Sequence, residues 1–249
     1  MKIQWLQTLA MNLVVLSCAS CASMSSMIGK TTYDPASYGT AALIETAGSP
    51  KSVTSDAVAA ARQLAKRNLT EEEGLKLRDA LLAQGNWKVR VALLQTMAEK
   101  QMTYLRDDLA EYAMEAPDAE TAVQAGVTVM ALTSDQEKAL KFAGTLLIKG
   151  LYPAQRARAA RLIANTFPEY AERLFIKALE DETSASAATL MCEFLAQKGT
   201  EKSLPVLDGI ANDVARIYQA DKYLDNVKTT SESVRAAAVR GAERLRVLQ

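Results

Sequence analysis

Five alanines recur at almost one interval, and they constrain this chain more than any motif in it. They are Ala65, Ala98, Ala131, Ala164 and Ala196, separated by 33, 33, 33 and 32 residues. The residue before each is Leu64, Met97, Met130, Ile163 or Leu195, and four before each stands Ala61, Leu94, Val127, Ala160 or Cys192. All fifteen are apolar. A second ladder runs Thr70, Thr103, Ser134, Thr166, Thr200, with steps of 33, 31, 32 and 34. A hydroxyl side chain is a favoured helix N-cap, because it accepts a bond from an orphan backbone N–H of the first turn. Thr70–Glu73, Ser134–Glu137 and Thr166–Glu169 also have capping-box spacing. One register marks the ends of a first helix and the other the starts of a second, so the repeating unit is a helix pair.

The unit is clearest over Pro153 to Asp181. Ala157, Ala160, Ile163 and Ala164 line one face of its first helix, and Ala171, Leu174, Phe175, Ala178 and Leu179 one face of its second. One pair cannot hide both stripes, so pairs must stack on each other. The expected fold is all-α: a right-handed α-solenoid of about five antiparallel helix pairs of ~33 residues plus a C-terminal capping helix. Leu94, Val127, Ile163 and Leu195 are expected in its core. After Thr200 the last second helix is expected to run on to Tyr218. Thr229–Glu232 then caps a final helix over Val234 to Leu248, whose Arg235, Arg240, Arg244 and Arg246 give the end a polar face.

Val89-Arg90 and Val234-Arg235, each early in a first-type helix, resemble HEAT-like repeats, and that resemblance covers roughly residues 52–249. Ala171, Phe175, Ala178 and Leu179 resemble the second helix of a tetratricopeptide repeat, although Ala159 and Leu162 stand where that family's first helix carries a large aromatic and a glycine. Either resemblance implies a module that holds a protein or an extended peptide on the concave face formed by the second helices. There the residues to test first are Arg106, Tyr112 and Arg173, since tyrosine and arginine are enriched in interface hot spots. Arg78, Lys141 and Lys177 lie on the same helices off the apolar stripe.

Residues 1–17 read as an export signal, with Lys2 as the positive start and Leu9 to Leu16 as a short apolar run. Val15-Leu16-Ser17-Cys18 resembles a bacterial lipobox, with Cys21 as the alternative acceptor. The resemblance implies a lipid anchor in the bilayer, and Ala19 or Ala22 after the cysteine, rather than aspartate, implies the outer membrane of the cell envelope. Residues 18–50 then read as the lipidated cysteine and a flexible tether, with a short helix near Ala41 to Thr46, and 51–249 as the repeat domain.

Catalytic signals are sparse. The chain has no histidine, which removes Ser-His and Cys-His nucleophile pairs and histidine metal sites together. No P-loop, GxGxxG, GxSxG or Ser-x-x-Lys occurs. The expectation is a non-enzyme with no cofactor and no metal. A self-associating structural protein is the alternative, and a carboxylate-based enzyme a more distant one. Charge balances at 29 basic against 29 acidic residues, unlike the basic excess that nucleic acid demands. Asp107, Asp108, Glu111, Glu115, Asp118 and Glu120 form an acidic stretch, and Arg156, Arg158, Arg161 and Arg173 a basic one; both read as surface charge. Cys192 reads as a buried packing thiol.

Overall fold

The computed structural model describes residues 33–219 and 230–248; the expected signal segment, with Cys18 and Cys21, lies outside them. The protein is all-α, and the only strand-like feature among the described residues is one isolated bridge, Ser184 to Gln219. Twelve α-helices are described: α1 (Thr40–Gly48), α2 (Thr54–Leu64), α3 (Glu71–Ala83), α4 (Trp87–Glu99), α5 (Arg106–Glu115), α6 (Ala119–Leu132), α7 (Gln136–Lys149), α8 (Pro153–Thr166), α9 (Pro168–Asp181), α10 (Ala185–Lys198), α11 (Leu204–Asn212) and α12 (Ser231–Val247). The even-numbered helices α2 to α10 are the expected first helices and α3 to α11 the second. Two compact units divide the chain: Met1–Asp107 with Val127–Leu132, and Asp108–Gly126 with Thr133–Gln249.

In the first unit α2 packs on α4 and α3 packs on α4. A buried hydroxyl bond ties first helix to first helix: Thr96 Oγ1 donates to Ala61 O at 2.8 Å. One repeat on, Thr128 Oγ1 donates to Leu94 O at 3.1 Å. The turn after α4 needs a left-handed residue, and Gln101 takes it at φ 52°. Met102 N then reaches Met97 O and Gln101 N reaches Ala98 O, the two bonds of a Schellman close. The stretch expected as tether is folded in its second half. Helix α1 packs on α2 and α3 with Leu43 and Ala47 fully buried, and Arg67 Nη2 donates to the carbonyls of Ala36 and Tyr38. The folded body thus begins well before residue 51.

In the second unit α8 packs on α7, α9 and α10, and α10 packs on α12. Gly241 sits where α12 crosses α10: a Cβ there would lie 3.1 Å from Ala196 Cβ and from Leu207 Cδ1. Phe175 is fully buried and meets Phe194 edge-on at 5.1 Å.

Several local expectations are corrected. Thr70 does form its capping box with Glu73. Thr103, however, opens a 3-10 turn (Thr103–Leu105) without capping it. Asp135 displaces Ser134 as the cap of α7, because its carboxylate accepts from both Glu137 N and Lys138 N. Thr166 is the last residue of α8, and Phe167 stands at the cap position of α9. Thr230, with Ser233, caps α12; Thr229 lies outside the described residues. Val127 is half-buried, because the buried face of α6 runs through Thr121, Gln124, Ala125, Thr128 and Val129 instead. Helix α11 stops at Asn212, leaving Val214 and Ile217 76% and 81% exposed. Their expected apolar rungs do not exist.

Candidate functional site

The second helices share one register. Leu77, Leu109, Ala143, Phe175 and Leu207 form a buried rung on α3, α5, α7, α9 and α11. Two residues before each rung stand Leu75, Asp107, Lys141, Arg173 and Pro205, and all five are exposed. Five before each stand Glu72, Tyr104, Lys138, Tyr170 and Lys202, again all exposed. Two after each stand Asp79, Glu111, Thr145, Lys177 and Gly209, of which only Thr145 is half-buried. Steps of three and four residues keep these positions on one helical face of α3, α7 and α9; before α5 and α11 the first of them, Tyr104 and Lys202, falls in a 3-10 turn.

Arg173 lies on this ridge. Arg106 falls one position behind it, half-buried, and its guanidinium contacts the Asp107 carboxylate. Tyr112 is half-buried at the edge of the apolar stripe. Arg106 belongs to the first unit, Tyr112 and Arg173 to the second. Sequence reasoning missed Tyr170 and Lys138, which the spacing from Phe175 and Ala143 would have supplied.

Charge is organised differently along the ridges. On α3, Glu72 is paired with Lys76 at 2.7 Å and Asp79 with Arg78 at 2.9 Å. On α7 and α9 the ridge carries Lys138, Lys141, Arg173 and Lys177, and none of these four is ion-paired. Tyr170 and Ile148 add exposed apolar surface beside them.

The first helices offer less. Arg90 and Arg156 are devices of the fold: each donates through Nη1 to the carbonyl six residues earlier that closes the preceding second helix, Gln84 O at 2.6 Å and Gly150 O at 2.9 Å. Arg156 also forms a bidentate pair with Glu182, so it is no part of a surface basic patch. Those side chains are 14% and 1% exposed. The Glu182 carboxylate further accepts from Thr183 N and Ser184 N. Arg216 Nη2 donates to the carbonyls of Leu179, Glu180 and Glu182 at the end of α9. Burial, and then the neighbouring Arg161, push the Arg158 guanidinium below its ordinary value.

Cys192 is fully buried in α10, and burial, reinforced by Glu193, pushes its thiol from 9.0 up to about 12. A thiolate is the reactive form, so the folded protein keeps this thiol inert. Because the folded value is the raised one, the proton stabilises the fold below pH 9.0, and this contribution is lost as pH rises toward about 12. Iodoacetamide at pH 8 is therefore expected to spare the Cys192 peptide in native protein and to modify it fully in urea, read by mass spectrometry. Equal native and unfolded rates would mean that α10 opens readily.

A hollow of about 540 Å³ lies against the end of α10, lined by Gly199, Thr200, Glu201, Leu245 and Leu248. It brings one carboxylate and one hydroxyl to two leucines. Among the described residues, no three His, Cys, Asp or Glu side chains gather to hold a metal ion, and no helix is long and apolar enough to cross a membrane. Comparison with protein-family models, with curated proteins and with solved structures finds no match.

Proposed function

We propose that this protein is a membrane-tethered, non-enzymatic interaction module of the bacterial cell envelope, which holds a protein or an extended peptide along its second helices. The observation that carries the reading is the shared ridge: packing accounts for the buried positions of the second helices, yet α3, α7 and α9 also repeat the same outward positions. The architecture within this proposal is a right-handed α-solenoid of about five helix pairs. The recurring bonds from Thr96 and Thr128, and from Arg90 and Arg156, support it, since a stack repeats its contacts as it repeats its sequence. The lipid acceptor within this proposal is Cys18, with Cys21 as the alternative, and both lie outside the described residues.

One experiment in envelope membranes tests both halves. A photo-crosslinking residue is placed at Lys141 on the ridge, or at Arg240 on the exposed face of α12, in cells fed a labelled fatty acid. The reading expects a discrete adduct from Lys141 alone, and a lipid label that Cys18→Ala removes and Cys21→Ala leaves. Adducts from Arg240 and none from Lys141 would move the functional face. A parent protein without label would end the lipid anchor.

A further inference from the structure

We infer that the ridge of α7 and α9 takes an acidic, extended polypeptide segment, with carboxylates that reach Lys138 and Lys141 on one helix and Arg173 and Lys177 on the next. This deepens the reading of the second helices as the partner-holding face and rests on it.

Three observations lead here. Helices α7 and α9 lie in one unit and pack together, so their ridges run side by side. The four cations are exposed and unpaired, whereas the ridge carboxylates Glu72 and Asp79 of α3 already have partners in their own helix. On α7 and α9, whose ridge positions carry no carboxylate, the surplus that seeks a partner is therefore positive, whereas the α5 ridge, with Asp107 and Glu111, has the opposite sign. Packed helices sit about 8–10 Å apart, and an extended chain advances about 3.3 Å per residue, so acidic side chains set three residues apart match the step from Lys141 to Arg173. Tyr170 and Ile148 would cover the apolar stems between them.

The same surface disfavours broad polyanions. Glu137 and Glu169 lie at the start of the two ridges, and Glu180 and Asp181 at the far end of α9, all exposed. A flat anionic bilayer or a nucleic-acid backbone would meet these carboxylates as well as the cations, and like charges brought together cost binding. A single narrow strand crossing the middle of the helices meets only the cations.

The test uses the full chain in detergent micelles. The probe is a fluorescent extended peptide with aspartate at every third position, beside its asparagine counterpart and vesicles containing phosphatidylglycerol. Anisotropy is expected to show salt-sensitive binding of the aspartate peptide and none of the asparagine peptide. Lys141→Glu with Arg173→Glu, both at exposed sites and so without effect on the circular dichroism, is expected to weaken binding by about tenfold or more, whereas Arg240→Glu leaves it unchanged. Equal binding of both peptides, indifference to the double variant, or preference for the vesicles overturns the inference. So does sedimentation in which the double variant breaks a self-associated form, since the occupant is then a second copy. If the aspartate peptide fails while the Lys141 crosslink in membranes persists, the acidic partner is wrong and the partner-holding face stands. If the crosslink is missing as well, the face itself is wrong.

Discussion

Leu94→Ala is expected to destabilise the protein by about 2–5 kcal/mol, the range for truncating a fully buried leucine. For a chain of this size that lowers the thermal midpoint by roughly 4–20 °C. Leu94 is fully buried in α4, and its carbonyl receives the Thr128 hydroxyl. The cavity left by the lost methyls is bounded by helices that their own contacts hold in place, so it cannot easily collapse. Val127→Ala, at the matching place one repeat on, is expected to cost about 1 kcal/mol or less, because a half-buried valine loses only part of its transfer energy. Differential scanning calorimetry of the two variants separates the registers. Equal large losses would put Val127 back in the core and turn α6 about its axis.

Glu182→Ala is expected to cost about 3–5 kcal/mol, as breaking a buried ion pair from one side does. It strands Arg156, 14% exposed, and takes the acceptor away from Thr183 N and Ser184 N. Arg156→Met combined with Glu182→Leu is expected to recover a good part of that loss, since no buried charge is then left alone. Denaturant unfolding of the single and double variants checks both statements. A double variant no more stable than the single one would mean that the backbone bonds of Glu182, not its pair with Arg156, carry the effect.

The helices were legible because they follow from local chemistry. An apolar stripe at helical spacing and a hydroxyl at a boundary each act within a few residues, and Thr70 with Glu73 does what its spacing promises. The errors arose where two local signals competed. Asp135 stands beside Ser134 and is the better acceptor for two N–H groups at once. In α6 the apolar residues Val127 and Met130 suggested one face, but Thr121 and Thr128 are small enough to go inside once their hydroxyls have partners. The candidate site was legible only in kind. Arg173 could be placed on the outward face because Phe175 fixes the inward one. The exposure of Arg106 and Arg156 could not, because a neighbouring Asp107 and a carboxylate 26 residues away decide where those guanidinium groups point. Alternation of charge along a sequence does not say which charges find each other.

The segment after α11 has a consequence for how this end of the molecule opens. Terminal segments of a folded chain tend to open ahead of its core, each at its own free energy. Here Gln219 N binds Thr183 O, Ala185 N binds Gln219 O, and Tyr218 N binds Ser231 Oγ at the first turn of α12. Three points far apart in the chain therefore share one short strand. Peeling α12 away releases the junction of α9 and α10, and loosening that junction frees α12. Amide protons in all three helices should then exchange with a single common opening energy, so that the C-terminal third behaves as one cooperative block rather than a graded series of ends.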